Sequence, residues 1–384
     1  MRIAMSGQTW GPENGPGVFS RRLALELARR GHRVLSMVPG RSLRTHFADD
    51  GDVSLAGIPA LSLAPFYPEV HVTPAPLRVV RKMLAEFRPD LVHVQDHYPL
   101  SRVVVRVAQA MRVPIVATNH FIPENMLPHI PVLARLGVAE WLLWKTLTSV
   151  LSRASVVTTP TETAGAILRP HLPGVPIQAI SCGIDVDLFR VPTPAQRSAA
   201  RDRWSVGAAE TAFTYVGRLD REKRVDVLID ALARVRSGSV RLLVAGRGRE
   251  GGPLRERAGR LGIASRVRFV GFVEDPDLLT LLHASDVFVM PGDAELQSIA
   301  TLEAMATGLP VLAANARALP ELVQPGIQGA LFEAGNAADA AEQIDRLASA
   351  PGRSALSAAS RRRAMEHSID STVNAYEEVY RCLA

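Results

Sequence analysis

The sequence predicts an α/β protein of two doubly wound domains, each with a parallel β-sheet covered on both faces by helices. Short apolar runs alternate with segments of helical periodicity along the chain, which is the pattern of β–α–β units. The alternation occurs in two series, one in each half. A length of 384 residues suits two domains of ordinary size, and 47% hydrophobic residues supply two cores.

The apolar runs give the predicted strands in order. The first half contains RIAMS, RVLSMV, LVHVQ, PIVATN, SVVTTP and PIQAIS. The second half contains AFTYVG, RLLVAG, VRFVGF, DVFVMP and PVLAA. The Pro-containing segment SCGIDVDLFRVPTPAQR separates the two series and places the predicted domain boundary after residue 190. Neither first strand is followed by G-x-G-x-x-G, which disfavours a nicotinamide or flavin site.

Charge and cysteine content narrow the expected partners. Residues 1–190 carry 20 Lys and Arg against 14 Asp and Glu, whereas residues 191–384 carry 24 of each. The surplus is consistent with attraction to anionic lipid or an acidic acceptor, and it is also the pattern of a solvated face in an Arg-rich chain. Cys182 and Cys382 cannot form a disulfide framework, and MRIAMSG predicts a strand and turn rather than a signal peptide. We expect a cytoplasmic protein, soluble or peripheral at the inner membrane face, without a nucleic-acid partner.

Two glutamates mark a candidate binding site in the second half. Glu295 and Glu303 lie in PGDAELQSIATLEAMATGLPVLAA, directly after the strand DVFVM. The carboxyl end of a strand followed by a helix amino terminus is where open α/β sheets bind anionic ligands. If the segment is helical, eight residues rise about 12 Å, so one carboxylate can meet a hexose and the other a ribose. The spacing predicts a sugar-nucleotide site.

Further motifs lie at other strand ends. Arg218 and Lys223, in GRLDREKRVDVLIDAL, are two cations that can hold a diphosphate, whereas Arg221 and Arg224 are expected to be solvated. The strand VRFVGF ends in residues whose backbone can contact a base, Gly271, Phe272 and Val273. A glycine loop, GPENGPGVFS, follows the first strand.

Together and in this order, these motifs resemble the family 4 retaining glycosyltransferases. The resemblance implies the GT-B fold, in which two Rossmann-like domains flank an interdomain cleft. It implies an acceptor-binding domain of residues 1–190 plus a crossover helix at 367–384, and a donor-binding domain of residues 191–366. It also implies transfer of a hexosyl group from a nucleoside-diphosphate sugar, preferably a UDP-sugar over a GDP-sugar, to a hydroxyl of a lipid or small metabolite.

The resemblance assigns roles to individual residues. Glu303 would bind the ribose, while Glu295 and His120 face the donor sugar. Arg218 and Lys223 hold the diphosphate, and the backbone of Gly15 and Gly17 approaches the donor phosphate. The implied catalytic residues are His120, Glu295, Arg218 and Lys223; the implied donor-binding residues are Gly15, Gly17, Arg218, Lys223, Gly271, Phe272, Val273, Glu295, Ser298 and Glu303.

The chain departs from the family pattern at several positions. Gln297 and Pro16 stand where the family more often has glycine, and Pro16 supplies no N–H to a phosphate. Gln95 replaces the second histidine of a His-x-His motif that begins at His93. The neighbouring Asp96 and His97 are candidate acceptor contacts.

Several alternatives remain open on the sequence alone. Asp185 and Asp187 form a D-x-D pattern, but the resemblance places them in an interdomain segment, so we expect neither a metal nor another cofactor. Trp141 and Trp144 beside Lys145 are consistent with an interfacial helix and with a core helix. A sugar-nucleotide epimerase and a non-catalytic sugar-nucleotide-binding protein of the same fold are the alternative functions.

Overall fold

The computed structural model describes residues 1–11, 14–40, 42–63, 67–73, 76–126, 137–350 and 352–384. The chain forms two compact units. Unit 1 contains Met1–Gly183 and Ile369–Ala384, and unit 2 contains Ile184–Ser368. Unit 2 is therefore an insertion between two parts of unit 1. Pro12 and Glu13 of the predicted glycine loop lie outside the described residues.

Unit 1 is built on an eight-stranded sheet and a separate hairpin. The strands are Arg2–Ser6 (β1), Arg33–Pro39 (β2), His46–Asp50 (β3), Val53–Ile58 (β4), Leu61–Leu63 (β5), Tyr67–Val72 (β6), Leu91–Val94 (β7), Ile115–Thr118 (β8), Val156–Thr159 (β9) and Ile177–Ala179 (β10). The sheet order is β10-β9-β8-β7-β1-β2-β4-β3, and β5 pairs with β6. Neighbouring strands of the large sheet are parallel except β3, which runs antiparallel to β4. The order reverses between β1 and β7, so the loops after these two strands diverge and leave a crevice.

Helices cover this sheet. They are Gly15–Arg29 (α1), Leu77–Phe87 (α2), Pro99–Ala110 (α3), Val138–Leu151 (α4), Glu162–Leu168 (α5) and, from the end of the chain, Ile369–Leu383, the last helix. Helix α1 begins where the Asn14 side chain accepts the Gly17 N–H, and it buries Phe19, Leu23 and Leu27 at four-residue spacing. No helix in the described ranges has the length and apolar character needed to cross a bilayer.

The last helix is anchored in unit 1 by two buried tyrosines. Tyr376 and Tyr380 have no exposed surface. The Tyr380 hydroxyl lies 2.7 Å from His93 Nδ1, and the Tyr376 hydroxyl lies 3.1 Å from both Thr118 Oγ1 and Thr158 Oγ1. Three parallel strands therefore share one buried hydrogen-bond network with this helix, which satisfies polar groups that would be costly to bury alone.

Unit 2 contains a six-stranded parallel sheet. Its strands are Thr211–Val216 (β11), Val240–Ala245 (β12), Val267–Gly271 (β13), Val287–Met290 (β14), Val311–Ala314 (β15) and Gly329–Phe332 (β16). The order is β13-β12-β11-β14-β15-β16, and each neighbouring pair is parallel. The order reverses between β11 and β14, so this unit has its own crevice at the carboxyl ends of those strands.

Helices on both faces of this sheet enclose its core. They are Pro194–Arg203 (α6), Val225–Arg234 (α7), Gly251–Arg260 (α8), Asp275–Ala284 (α9), Ile299–Ala306 (α10), Leu319–Leu322 (α11), Ala337–Ala348 (α12) and Arg353–Met365 (α13); the last helix of unit 1 is α14. Thr193 and Gln196 form a reciprocal capping box at the start of α6. The core is formed by buried side chains such as Phe213, Phe288 and Phe332.

The segment before α6 belongs to unit 2, so the observed division lies earlier than the predicted one at residue 190. Ile184 and Phe189 are fully buried in the unit 2 core. The Asp185 carboxylate accepts the N–H groups of Asp187 and Leu188 and closes a turn. The burial of Ile184 and Phe189 attaches residues 184–190 to the core of unit 2.

The predicted fold class, two doubly wound α/β domains, is confirmed. Each apolar run named in the sequence forms a strand. The sequence did not predict β3 to β6 or β16. Strand β3 was missed because HFADD is polar and mostly exposed at the sheet edge, which removes the apolar signal.

Candidate active site

The carboxyl edge of the unit 2 sheet brings together the predicted cations and one predicted carboxylate. Lys223 follows β11 and Glu295 follows β14, the two strands that flank the crevice. Lys223 Nζ lies 2.6 Å from Glu295 Oε1, and both side chains are largely buried. A loop contact thus spans the point where the strand order reverses, where open α/β sheets bind ligands.

Arg218 lies in the same loop and is held by two acidic side chains. Its guanidinium donates to Asp220 Oδ2 at 2.5 Å and to Glu222 Oε1 at 2.6 Å. Glu222 is buried, whereas the Arg218 side chain is 47% exposed. The Arg218 guanidinium is therefore held in place by two carboxylates while part of it stays open to solvent. We call Arg218, Lys223, Glu295, Asp220 and Glu222 the unit 2 cluster.

A buried tyrosine supports the Arg218 loop. The Tyr215 hydroxyl donates to the Arg218 carbonyl oxygen at 2.7 Å. Burial raises the pKa of Tyr215 well above its usual range, and the charge of Glu295 acts in the same direction. The neighbouring loop packs closely, because a Cβ on Gly246 would lie 1.8 Å from the Gly217 carbonyl oxygen. Only glycine allows this approach.

Glu295 lies in a loop, not in a helix. Helix α10 begins at Ile299 and is capped by Ser298, whose Oγ accepts the Thr301 N–H. The predicted helical rise of about 12 Å between Glu295 and Glu303 is therefore wrong, since only part of the segment is helical. Gly292 packs beside Glu295, because a Cβ there would lie 2.9 Å from Glu295 Oε1 and would displace the carboxylate.

Glu303 and the β13 end complete the predicted donor residues. Glu303 is buried in α10. Gly271 ends β13 with a φ of +81°, and the following Phe272 is 44% exposed. The Arg247 guanidinium lies 5.9 Å from the centre of the Phe272 ring. The strand end therefore exposes an aromatic face beside a cation. Val273 is partly buried against the core.

In unit 1, Gly15 and Gly17 lie in the first turn of α1. Asn14 caps this turn by accepting the Gly17 N–H at 2.9 Å, and Pro16 has no N–H to offer. Gly17 is also tightly enclosed, because a Cβ there would lie 2.8 Å from the Gly11 carbonyl oxygen. Gly17 thus gives the turn its close packing, while its N–H serves the helix cap.

His120 follows β8 and lies near this turn. Its ring centre is 5.0 Å from that of Phe19, and its Nε2 is 3.3 Å from Gln95 Oε1. Burial lowers the pKa of His120 to about 4, so the imidazole is neutral near pH 7. Gln95, which replaces the expected second histidine, is the polar partner of His120.

The other polar residues in and after β7 have distinct surroundings. His93 is fully buried, with Tyr380 on Nδ1 and the Thr118 hydroxyl 2.6 Å from Nε2, and burial lowers its pKa to about 3. His93 is therefore structural. Asp96 accepts the N–H groups of Gln8 and Tyr98, and burial raises its pKa. His97 is 4% exposed and stacks on Tyr98, and burial lowers its pKa to about 4.

The expectation that Arg221 and Arg224 are solvated holds for Arg221 and is wrong for Arg224. The Arg221 side chain is 68% exposed and contacts Glu250 at 3.4 Å. Arg224 instead donates from Nη1 to Asp293 Oδ2 at 2.9 Å, which ties its loop to that of Glu295. Sequence reasoning also missed Tyr215, Asp220 and Glu222. The acidic residues two and four positions after Arg218 were the available signal.

The D-x-D pattern has a structural role. Asp185 closes the turn described above, and in the part of the chain that the structure describes no three His, Cys, Asp or Glu residues form a metal-binding group.

Comparison with known proteins identifies both units. The family model described as Glycosyltransferase Family 4 matches residues 13–188, and the model described as Glycosyl transferases group 1 matches residues 210–350. The D-inositol 3-phosphate glycosyltransferase of Mycobacterium tuberculosis is 35% identical over 214 residues. That match covers 53% of this chain and 43% of the relative, so less than half of the relative's length is represented.

Solved structures of the same fold cover both units. The sucrose-phosphate synthase of Thermosynechococcus elongatus has a TM-score of 0.82 and 20% identity, with 100% of this chain and 98% of that chain covered. The Anabaena protein HepE, solved in complex with UDP and glucose, has a TM-score of 0.79 and 22% identity, with both chains fully covered. At these identities the likeness concerns the fold. With family models matching both units, the chain belongs to the family 4 glycosyltransferases of GT-B fold.

Proposed function

We propose that the protein is a metal-independent retaining glycosyltransferase that moves a hexosyl group from a nucleoside-diphosphate sugar to an acceptor hydroxyl. The observation that carries the proposal is the 2.6 Å contact of Lys223 with Glu295 beside Arg218 at the unit 2 crevice. At this edge of the sheet, the cations suit the diphosphate of a sugar nucleotide and the carboxylate suits its sugar. Family membership and the UDP-containing HepE structure support a UDP-sugar as the donor.

The two cations retain capacity for a diphosphate while they contact carboxylates. An ammonium has three N–H donors and a guanidinium five. Lys223 uses one on Glu295, and Arg218 uses two on Asp220 and Glu222. The remaining donors can stabilise the charge that develops on the departing diphosphate, which is the largest electrostatic requirement of the step. Glu295 would then orient the sugar, and Glu303 would bind the ribose.

In the proposed reaction the acceptor oxygen bonds to the anomeric carbon on the face from which the diphosphate leaves. The bond between that carbon and the phosphate oxygen breaks, and the acceptor proton passes to an oxygen of the leaving diphosphate. No protein nucleophile is needed. His120 is neutral near pH 7, so it would orient the sugar through hydrogen bonding rather than through charge.

Phe272 and the neighbouring backbone of Gly271 would contact the nucleobase. The exposed ring offers a stacking face, and Arg247 lies at its edge. This arrangement accepts any base, so uridine is proposed on the family relationship and not on a specific contact.

Helix α4 supports a lipid acceptor over a soluble one. Val138, Trp141, Leu142 and Lys145 lie on one exposed face, and Lys145 Nζ is 4.6 Å from the Trp141 ring centre. Trp144, in contrast, stacks on His171 at 3.7 Å and packs against the core. Apolar and aromatic side chains beside a cation are suited to a membrane interface. A peripheral contact at the inner membrane face is part of the proposal.

Acceptor-dependent turnover tests the function. Thermal shift with UDP- and GDP-sugars should first identify the donor, because a ligand at 100 times its dissociation constant adds about 2.7 kcal/mol of stability. Nucleoside diphosphate should then be released when an acceptor is added, with the anomeric configuration retained by NMR and activity unchanged in EDTA. Rearranged sugar nucleotide without acceptor would favour the epimerase, and binding without turnover the non-catalytic alternative. Loss in EDTA, restored by Mg²⁺, would contradict metal independence.

A further inference from the structure

Arg224 has a strained backbone in the loop that carries Lys223. Its φ and ψ are +49° and +35°, in the left-handed region that side chains rarely adopt. Strain of this kind persists where surrounding contacts hold the residue in place, and it concentrates at functional sites. The question is therefore what holds Arg224.

The Arg224 side chain connects three strand-end loops. Its Nη1 lies 2.9 Å from Asp293 Oδ2 in the loop after β14, and its Nε lies 3.6 Å from Asp226 Oδ1 at the start of α7. The guanidinium also passes over Gly335, after β16, where an added Cβ would lie 3.4 Å from Nη2. The left-handed backbone thus accompanies a side chain that reaches across the crevice of unit 2.

Two adjacent ion pairs join the same two loops. Lys223 contacts Glu295, and Arg224 contacts Asp293. In the proposed function Lys223 shares its donors with the diphosphate, and Glu295 turns to the sugar, so their mutual contact is weakened when donor binds. Arg224 and Asp293 have no assigned contact with the donor. Their pair can hold the loops together while the first pair is engaged by substrate.

We propose that Arg224 and Asp293 are positioning residues that hold the Glu295 loop against the Lys223 loop in the donor-bound protein. The proposal rests on the proposed function. It concerns geometry rather than folding, because the two side chains are 33% and 37% exposed and such pairs contribute little to stability. Glycine at position 224 would also adopt the left-handed backbone without strain. Removing the pair should therefore reduce turnover without lowering stability.

The variants Arg224→Gly, Asp293→Asn and their combination test this separation. Each single change should lower kcat by roughly 10- to 100-fold, since small displacements of reacting groups have effects of that order. KM for the donor should stay within about threefold, and the melting temperature of Arg224→Gly should not fall. The double variant should be no slower than the singles, because both remove one contact. Arg224→Lys, which keeps the cation, should retain most of the rate.

Arg88→Gly is the matched control. Arg88 is an exposed arginine with a φ of +52° that caps the carboxyl end of α2 in unit 1. Its replacement relieves the same strain away from the crevice, so it should leave kcat unchanged. A wild-type kcat in Arg224→Gly would overturn the proposal, and a lower melting temperature in step with the loss of rate would indicate a purely structural role.

Hydrogen exchange gives a readout that does not depend on turnover. With UDP bound, residues 291–298 should exchange faster in Arg224→Gly and Asp293→Asn than in the wild type. Unchanged exchange in both variants would overturn the positioning role even if no acceptor were found. A wild-type protein that binds no nucleotide and transfers no sugar would instead contradict the proposed function.

Discussion

At the residue scale, the clearest prediction is the effect of Lys223 on turnover. Lys223→Ala should lower kcat by roughly 10²- to 10³-fold, because one donor aimed at developing charge is worth about 3 to 4 kcal/mol. Donor affinity should fall less, since the contact strengthens as the diphosphate leaves. Steady-state kinetics measure both. Arg221→Ala, on the same short turn but largely exposed, is the control. An unchanged rate would remove Lys223 from the diphosphate site.

The two glutamates should separate kinetically. Glu303→Gln should raise the donor KM with little change in kcat, because ribose binding is the same in the ground and transition states. Glu295→Gln should lower kcat more than it raises KM. Both substitutions keep the shape of the side chain, so the circular dichroism spectra should match that of the wild type. The opposite assignment of effects would mean that sugar and ribose occupy the reverse ends.

His93 predicts a pH dependence of stability. The pKa of His93 is about 3 in the folded state, against an ordinary value of 6.5. Below pH 6.5, therefore, His93 becomes protonated in the unfolded chain but stays neutral in the folded protein. The free energy of unfolding should therefore fall by about 1.4 kcal/mol per pH unit from this residue between pH 6 and 4, with no such loss above 6.5.

His93→Gln tests that contribution. The variant should be less stable than the wild type at pH 7.5, because the bonds to Tyr380 and Thr118 are lost. The difference should narrow as the pH falls to 4, since the variant has no proton to gain at this position. Denaturant unfolding at each pH measures it. A constant difference would show that His93 does not titrate as stated.

At the element scale, helix α4 is the segment to test on membranes. Anionic vesicles should retain the wild type at low salt and release part of it as ionic strength rises, because exposed charges are screened beyond about 8 Å at physiological salt. Trp141→Ala should lose the salt-resistant fraction, since an interfacial helix is held by its apolar side chains.

Phe47→Ala is the control for this experiment. Phe47 is a 68% exposed aromatic residue on β3 of the same unit, and Trp141 is 57% exposed. The Phe47→Ala substitution should not change sedimentation with vesicles. Equal behaviour of the two variants, or no binding at low salt, would remove the support for a lipid acceptor and favour a soluble metabolite.

The elements also show what the sequence could predict. Strand β14 and the Lys223 and Glu295 loops were predictable, because apolar runs identify parallel strands whose carboxyl ends meet at one edge. The start of α10 was missed, although Ser298 is a preferred capping residue. The contact of Arg224 with Asp293 was not predictable from the sequence. The left-handed backbone of Arg224 sets the direction of its side chain, and the pattern of apolar residues carries no information about such a conformation.

At the scale of the whole molecule, unit 2 interrupts unit 1. Helix α14 supplies Tyr376 and Tyr380 to the buried network around His93, so residues that follow unit 2 in the chain complete the buried network of unit 1. Tyr380→Ala should therefore accelerate hydrogen exchange in β7 and β8 while β11 to β16 remain protected, since loss of a buried aromatic costs about 3 to 5 kcal/mol. Exchange followed by mass spectrometry resolves the two units. Equal acceleration in both would contradict this division.

This interruption also sets an order of assembly during translation. Residues of unit 1 up to Gly183 are synthesised before unit 2, whereas the helix that closes unit 1 is made about 200 residues after Gly183. At 5–20 residues per second, roughly 10–40 s pass between the synthesis of the unit 1 strands and that of the helix that carries the two tyrosines. The inserted domain is complete once Ser368 has emerged. The unit 1 residues before Ile184 therefore remain without their closing helix until unit 2 has been synthesised.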